Sequence, residues 1–140
     1  MRKSKLAELI RNPFILAAAI FLLNILIGWI LIAILTITNI ANSLLSWLGI
    51  ITAAYIIGGI HAVLVKEPIP AKTKAIAVIC YSVAVFVSAL IVLAAAGLPL
   101  STSVLVINVV LGVTYAVAVY AFLGIGEKGF LRTAAQKKLK

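Results

Sequence analysis

The sequence predicts an all-α, polytopic integral membrane protein: a bundle of four transmembrane helices with both termini on the same side. Three observations predict it. Of 140 residues, 65% are apolar and only 11% charged, against about 45–50% and about 25% in a soluble domain. A soluble core of this chain length could not hide so much apolar surface, and the mean hydropathy of +1.29 agrees. The charges are confined to three clusters: Arg2, Lys3, Lys5, Glu8 and Arg11; then Lys66, Glu67, Lys72 and Lys74; then Glu127, Lys128, Arg132, Lys137, Lys138 and Lys140. The stretches between them, 12–65 and 75–126, carry no formal charge.

About 20 apolar residues in a helix cross about 30 Å of hydrocarbon, so each uncharged stretch holds two spans and a turn. The spans are placed at 13–36, 45–65, 74–96 and 103–125, in a single domain over 1–140. Pro13 suits a first helical turn. The run Thr38-Asn39-Ile40-Ala41-Asn42-Ser43 separates the first two spans, with Asn42 or Ser43 to cap the second. Pro68 and Pro70 end the second span. Gly97-Leu98-Pro99-Leu100-Ser101-Thr102-Ser103 separates the last two, with Ser101 or Ser103 as the cap. Backbone groups in lipid must be satisfied within their own segment, which selects helices. A β-barrel would need alternating segments of about 10 residues, and runs such as Ile30-Leu31-Ile32-Ala33-Ile34-Leu35 do not alternate.

All 12 basic residues fall on the side of the N-terminus, the middle loop and the C-terminus. The positive-inside rule therefore puts both termini in the cytoplasm and the protein in the cell (inner or plasma) membrane. A cleaved leader is not expected, because the first apolar run exceeds the usual length of about 7–15 residues and no small-x-small site follows it. In a soluble protein the net charge of +9 would suggest nucleic acid. Placed at the span ends, it points instead to topology and anionic headgroups, and no nucleic-acid partner is expected.

The spans, as placed, hold no Asp, Glu, Arg or Lys beyond the boundary Lys74, which argues against ion coupling and voltage sensing. His61, the only histidine, reads as an interfacial side chain bonded to water, backbone or headgroup. The competing reading is a haem or metal ligand or a pH sensor, but one histidine and Cys80 do not make a site. Cys80 reads as a small apolar residue. Asn24 and Asn108, the strongest polar groups in the spans, are expected to hydrogen-bond across helices, for about 0.6–2 kcal/mol each. Span hydroxyls are expected to bond back to their own backbone.

Small residues recur every fourth position: Ala54, Gly58 and Ala62; Cys80, Ala84 and Ser88; Asn108, Gly112 and Ala116; with Gly28 after Asn24. Such spacing keeps them on one face, where small side chains let helices approach closely in lipid. They pack this bundle or dock a partner. Trp47 and Tyr120 suit opposite interfaces; Trp29 is expected to pack inside. Arg2–Pro13 and Glu127–Lys140 each carry an apolar face; they read as plain topology-setting charge, with short amphipathic helices in the headgroup plane as the alternative. Catalytic residues, metal ligands and cofactors are not expected: there is no Asp, and the three glutamates all fall outside the spans.

Val65-Lys66, then Pro70-Ala71-Lys72-Thr73-Lys74 running straight into the third span, and the exit Leu123-Gly124-Ile125-Gly126 before a basic tail resemble a family of small, uncharacterised bacterial four-helix inner-membrane proteins. That resemblance covers about half the chain. It implies a four-helix membrane fold and no activity. The expected function is that of a non-enzymatic accessory, assembly or inhibitory (immunity-like) subunit acting through helix–helix contacts. The alternative is a homo-oligomeric transporter or channel for a small or uncharged solute.

Overall fold

The computed structural model describes residues 2–38, 43–99 and 101–137. It is all-helical, with no strand among the described residues. The helices are α1 (Arg2–Ile10), α2 (Pro13–Thr38), α3 (Ser43–Val65), α4 (Ala71–Ala95) and α5 (Thr102–Lys137). The last four are long and apolar enough to cross a membrane. The turn expected between the first two spans, with Asn39 and Asn42, lies outside the described residues.

Helix ends follow local chemistry. Asn12 Oδ1 accepts the Phe14 N–H at 2.9 Å, an N-cap followed by proline at the first helical position. α3 stops at Lys66, whose φ of 60° is left-handed. Pro70 then precedes α4 in an extended conformation. α4 ends where the Leu98 N–H reaches Leu93 O and the Gly97 N–H reaches Ala94 O, both at 3.1 Å. Gly97 has a φ of 68°, so this is a Schellman ending that only glycine adopts without strain. Ser101 Oγ caps α5 by accepting the Val104 N–H at 3.3 Å.

One expectation about the ends is corrected. The helix of the fourth span does not stop near residue 125 to leave a separate C-terminal helix. α5 continues unbroken through Gly124 and Gly126 to Lys137, 36 residues in all, or about 54 Å. Those glycines pack against neighbouring helices rather than end their own. At the other end α1 is a distinct helix, set against α2 and α3 with Ile10 buried.

α2 packs on α3 and α4, and α5 packs on the same two, so the order around the bundle is α2–α3–α5–α4. The α3–α5 contact is the most extensive. Trp47 stacks edge-on with Tyr115 at 4.9 Å, and Gly59 faces Phe130, so these two helices run in the same direction. A Cβ on Gly58 would overlap the Leu123 carbonyl, and one on Gly126 would overlap the Tyr55 carbonyl. Each helix thus uses a glycine to let the other's backbone in.

Burial is uneven. Leu16, Ile20, Ala53, Ala54, Ala77, Tyr81, Val119 and Leu123 are fully buried, all toward the end that holds residues 66–70. Beyond them the bundle opens. None of residues 21–33, 82–95 or 102–118 is buried. Trp29, expected to pack inside, is 73% exposed and projects outward.

A methyl added at the glycine contact must therefore push two backbones apart. Gly58→Ala and Gly126→Ala should each destabilise by about 1–3 kcal/mol. At Gly28 an added Cβ would meet nothing within 4 Å, so Gly28→Ala should be neutral or stabilise by up to about 1 kcal/mol. Thermal unfolding in micelles followed by circular dichroism checks this ordering.

Candidate functional site

The tightly packed end gathers the chain's buried ionisable side chains. α3 brings His61 there, three residues after Gly58 and so on the face that meets α5. His61 is 1% exposed, and neither ring nitrogen has a hydrogen-bond partner among the described residues. α5 brings Glu127, 3% exposed, whose backbone nitrogen lies beside Gly58. α4 brings Lys74 from its first turn. Lys74 Nζ is 3.1 Å from Glu127 Oε2 in an almost fully buried ion pair. The same ammonium lies 5.6 Å from the centre of the Tyr120 ring, a cation–π distance. Gly124 leaves room for it: a Cβ there would sit 3.3 Å from Nζ.

A second ion pair, Arg11 to Glu67 at 2.9 Å, ties the α1–α2 corner to the α3–α4 connection. Both of its side chains are more than half exposed, so it adds little stability. Lys74–Glu127 differs in kind. Desolvating two charges is costly, and removing one partner strands the other in a low-dielectric interior.

These positions revise several expectations. Glu127 does not lie in a loop or tail; α5 continues past it and α3 covers it. His61 does not reach outward: its side chain is buried, and neither ring nitrogen has a partner among the described residues. Glu127 and Lys74, read from the sequence as charges outside or at the edge of the spans, are instead buried together between helices. Asn24 does bond across helices, its Nδ2 donating to Tyr81 Oη at 3.2 Å. Asn108 does not: its Nδ2 donates to Val104 O of its own helix at 2.8 Å, because the open half of the bundle offers it no facing partner. Ser82 and Thr114 bond back to Val78 O and Val110 O, as expected of span hydroxyls.

The small-residue faces separate into two uses. Ala54, Gly58 and Ala62 are buried in the packed end. Gly112 and Ala116 instead line an outward groove of about 280 Å³ between α4 and α5, with Ile79, Val83, Phe86 and Val109. Ala84 and Ser88 are half-buried, and Gly28 opens to space. Sequence reasoning missed Gly126 and Glu127. Their signal was the continuation of the apolar pattern through Phe122, Leu123, Phe130 and Leu131.

Among the described residues no three His, Cys, Asp or Glu side chains come together as a metal site. Comparison with family models, with characterised proteins and with solved structures finds no match. The chemistry available at the packed end is proton exchange and charge pairing: an imidazole, a carboxylate and an ammonium, without an activated nucleophile.

The buried pair has a definite energetic signature. Lys74→Met or Glu127→Leu alone should destabilise by about 3–5 kcal/mol, whereas the two together should be near neutral or stabilising. A double-mutant cycle by thermal or chemical unfolding measures the coupling.

Proposed function

We propose that the chain crosses the cell membrane four times with both termini cytoplasmic, and that it acts without catalysis as an accessory, assembly or inhibitory subunit of another membrane protein. Four helices of sufficient length and apolarity support the spanning. The exposed cations Lys5, Arg11, Lys66, Lys72, Lys128 and Arg132 support the orientation under the positive-inside rule and would also attract anionic headgroups, at about 1 kcal/mol per residue.

One observation carries the subunit reading. The chain completes its own core at the charged end only, leaving the other half of α2, α4 and α5 without a buried residue among those described. That half carries the Gly112–Ala116 groove, the uncovered Gly28 and the outward Trp29. Small-residue grooves of this kind accept a facing transmembrane helix. An immunity-like inhibitor fits the same geometry.

A second reading, a homo-oligomeric transporter for a small solute, is favoured by the buried Lys74, Glu127 and His61, since ionisable groups inside helical membrane proteins often mark transport paths.

Native mass spectrometry of the chain extracted gently from its source membrane tests the first reading. The expected result is a stoichiometric heteromer that Gly112→Leu disrupts while the fold persists. A bare monomer overturns it. A homo-oligomer that supports solute flux in liposomes replaces it with the second reading. Orientation is checked separately with a membrane-impermeant maleimide on intact cells: in a Cys80→Ala background, Leu98→Cys should label and Lys72→Cys should not.

A further inference from the structure

We infer that His61 and Glu127 form a proton-binding site between α3 and α5, in which a proton taken up by the imidazole moves the Glu127 carboxylate from Lys74 to His61. The starting observation is geometric. A buried imidazole with neither nitrogen partnered would, on taking a proton, need an acceptor or counter-charge to offset its desolvation. The acceptor is close at hand. Glu127 packs at Gly58, one helical turn from His61 on the same face of α3. Glu127 Oε2 touches Lys74 Nζ at 3.1 Å yet lacks a well-aligned hydrogen bond, so it retains capacity for a second donor.

The surrounding charges favour exchange over simple addition. Glu127, Arg11, Lys74 and Glu67 act electrostatically on His61. Arg11 and Glu67 satisfy each other, and Lys5 and Glu8 of α1 are exposed. Residues 13–38 of α2 contain no ionisable side chain. On α4 and α5, Tyr120 lies beneath Lys74, Tyr81 accepts the Asn24 amide, and Cys80 is half-buried. Glu127 is thus the one buried carboxylate among the described residues, paired with Lys74 and carried on the helix that packs at Gly58, three residues from His61. A hydronium ion gives its proton to an imidazole nitrogen lone pair; its O–H bond breaks as the N–H bond forms, and water is left. The resulting imidazolium and Lys74 then compete for a single carboxylate. Lys74, at 12% exposure of its side chain against 4% for Glu127, is the member of the pair with the shorter way to solvent. Because Lys74 is on α4 and His61 on α3, the exchange transfers α5's electrostatic tie from α4 to α3.

The lone histidine makes the test direct. The full chain, labelled with 15N-histidine and placed in lipid nanodiscs, gives one imidazole to follow by NMR from about pH 8 to about pH 4, across the ordinary histidine range. The expected result is proton uptake by His61 with the helices intact. Lys74→Met, which frees Glu127, should tighten that uptake at least about tenfold. Lys74→Met/Glu127→Gln, which leaves no unpaired buried charge at the pair, should abolish it over the same range. A wild-type imidazole that stays neutral to pH 4 overturns the inference, as does a protein that unfolds before His61 responds. Uptake at the same pH in the wild type and the double variant also overturns it. None of these outcomes depends on whether the chain has a partner, so the proposed function stands or falls separately.

Discussion

Everything at the ordered end depends on the approach of two backbones. Gly58 on α3 admits the Leu123 carbonyl of α5, and Gly126 on α5 admits the Tyr55 carbonyl of α3. In lipid, helices are held by dispersion and polar contacts rather than by expulsion of water. Both kinds of contact strengthen as separation falls, so a reciprocal pair of glycines is an efficient fastener. It sets the depth at which Glu127 enters, and hence where Lys74 must reach to neutralise it. It also encloses His61. The buried charges are therefore a consequence of backbone proximity, and the cation–π contact with Tyr120 and the space above Gly124 are the accommodations that let an ammonium lie there.

The two ends of the bundle contrast because their side chains differ in shape. At the packed end alanine and glycine alternate with large residues: Ala17 beside Leu16 and Ile20, Ala53 and Ala54 beside Ile50 and Ile57, Ala77 beside Tyr81. Large and small residues interdigitate to high density. At the open end, residues 104–111 are mostly bulky Val, Leu and Ile, and the small residues there, Gly112 and Ala116, line an outward groove that no helix of this chain fills. The Asn24–Tyr81 bond lies near the transition, a polar tie across helices just before the bundle opens.

The four long helices were legible because an uncharged apolar stretch in a chain this short has few alternatives, and the proline and serine at their starts carry their own reasons. The Ala54–Gly58–Ala62 face was legible because a four-residue repeat of small side chains has a direct packing meaning. The end of α5 was not. Gly124-Ile125-Gly126-Glu127-Lys128 has the composition of an exit from a membrane span, and only the position of α3 shows that its glycines lie in a helix–helix contact. Glu127 was misplaced for the same reason, since its partner Lys74 belongs to another helix and local sequence does not reveal the pairing. Asn108 could not have been assigned from sequence, because whether an amide reaches across or bonds its own backbone depends on a neighbour being near. Trp29 shows the converse, a large aromatic residue whose place was inferred from depth along the chain rather than from the face it occupies.

The length of α5 has a mechanical meaning. Thr102 and Gly126 belong to one uninterrupted helix, about 36 Å apart along its axis at 1.5 Å per residue. The helix is gripped near Gly126 and loosely held near Thr102, as a rod clamped toward one end. A tilt of about 5° at the clamp would carry the distant tip sideways by about 3 Å, more than half the 5.4 Å pitch of a helix. Small adjustments where the backbones touch are therefore magnified at the opposite face of the molecule, with the rest of α5 as the lever arm.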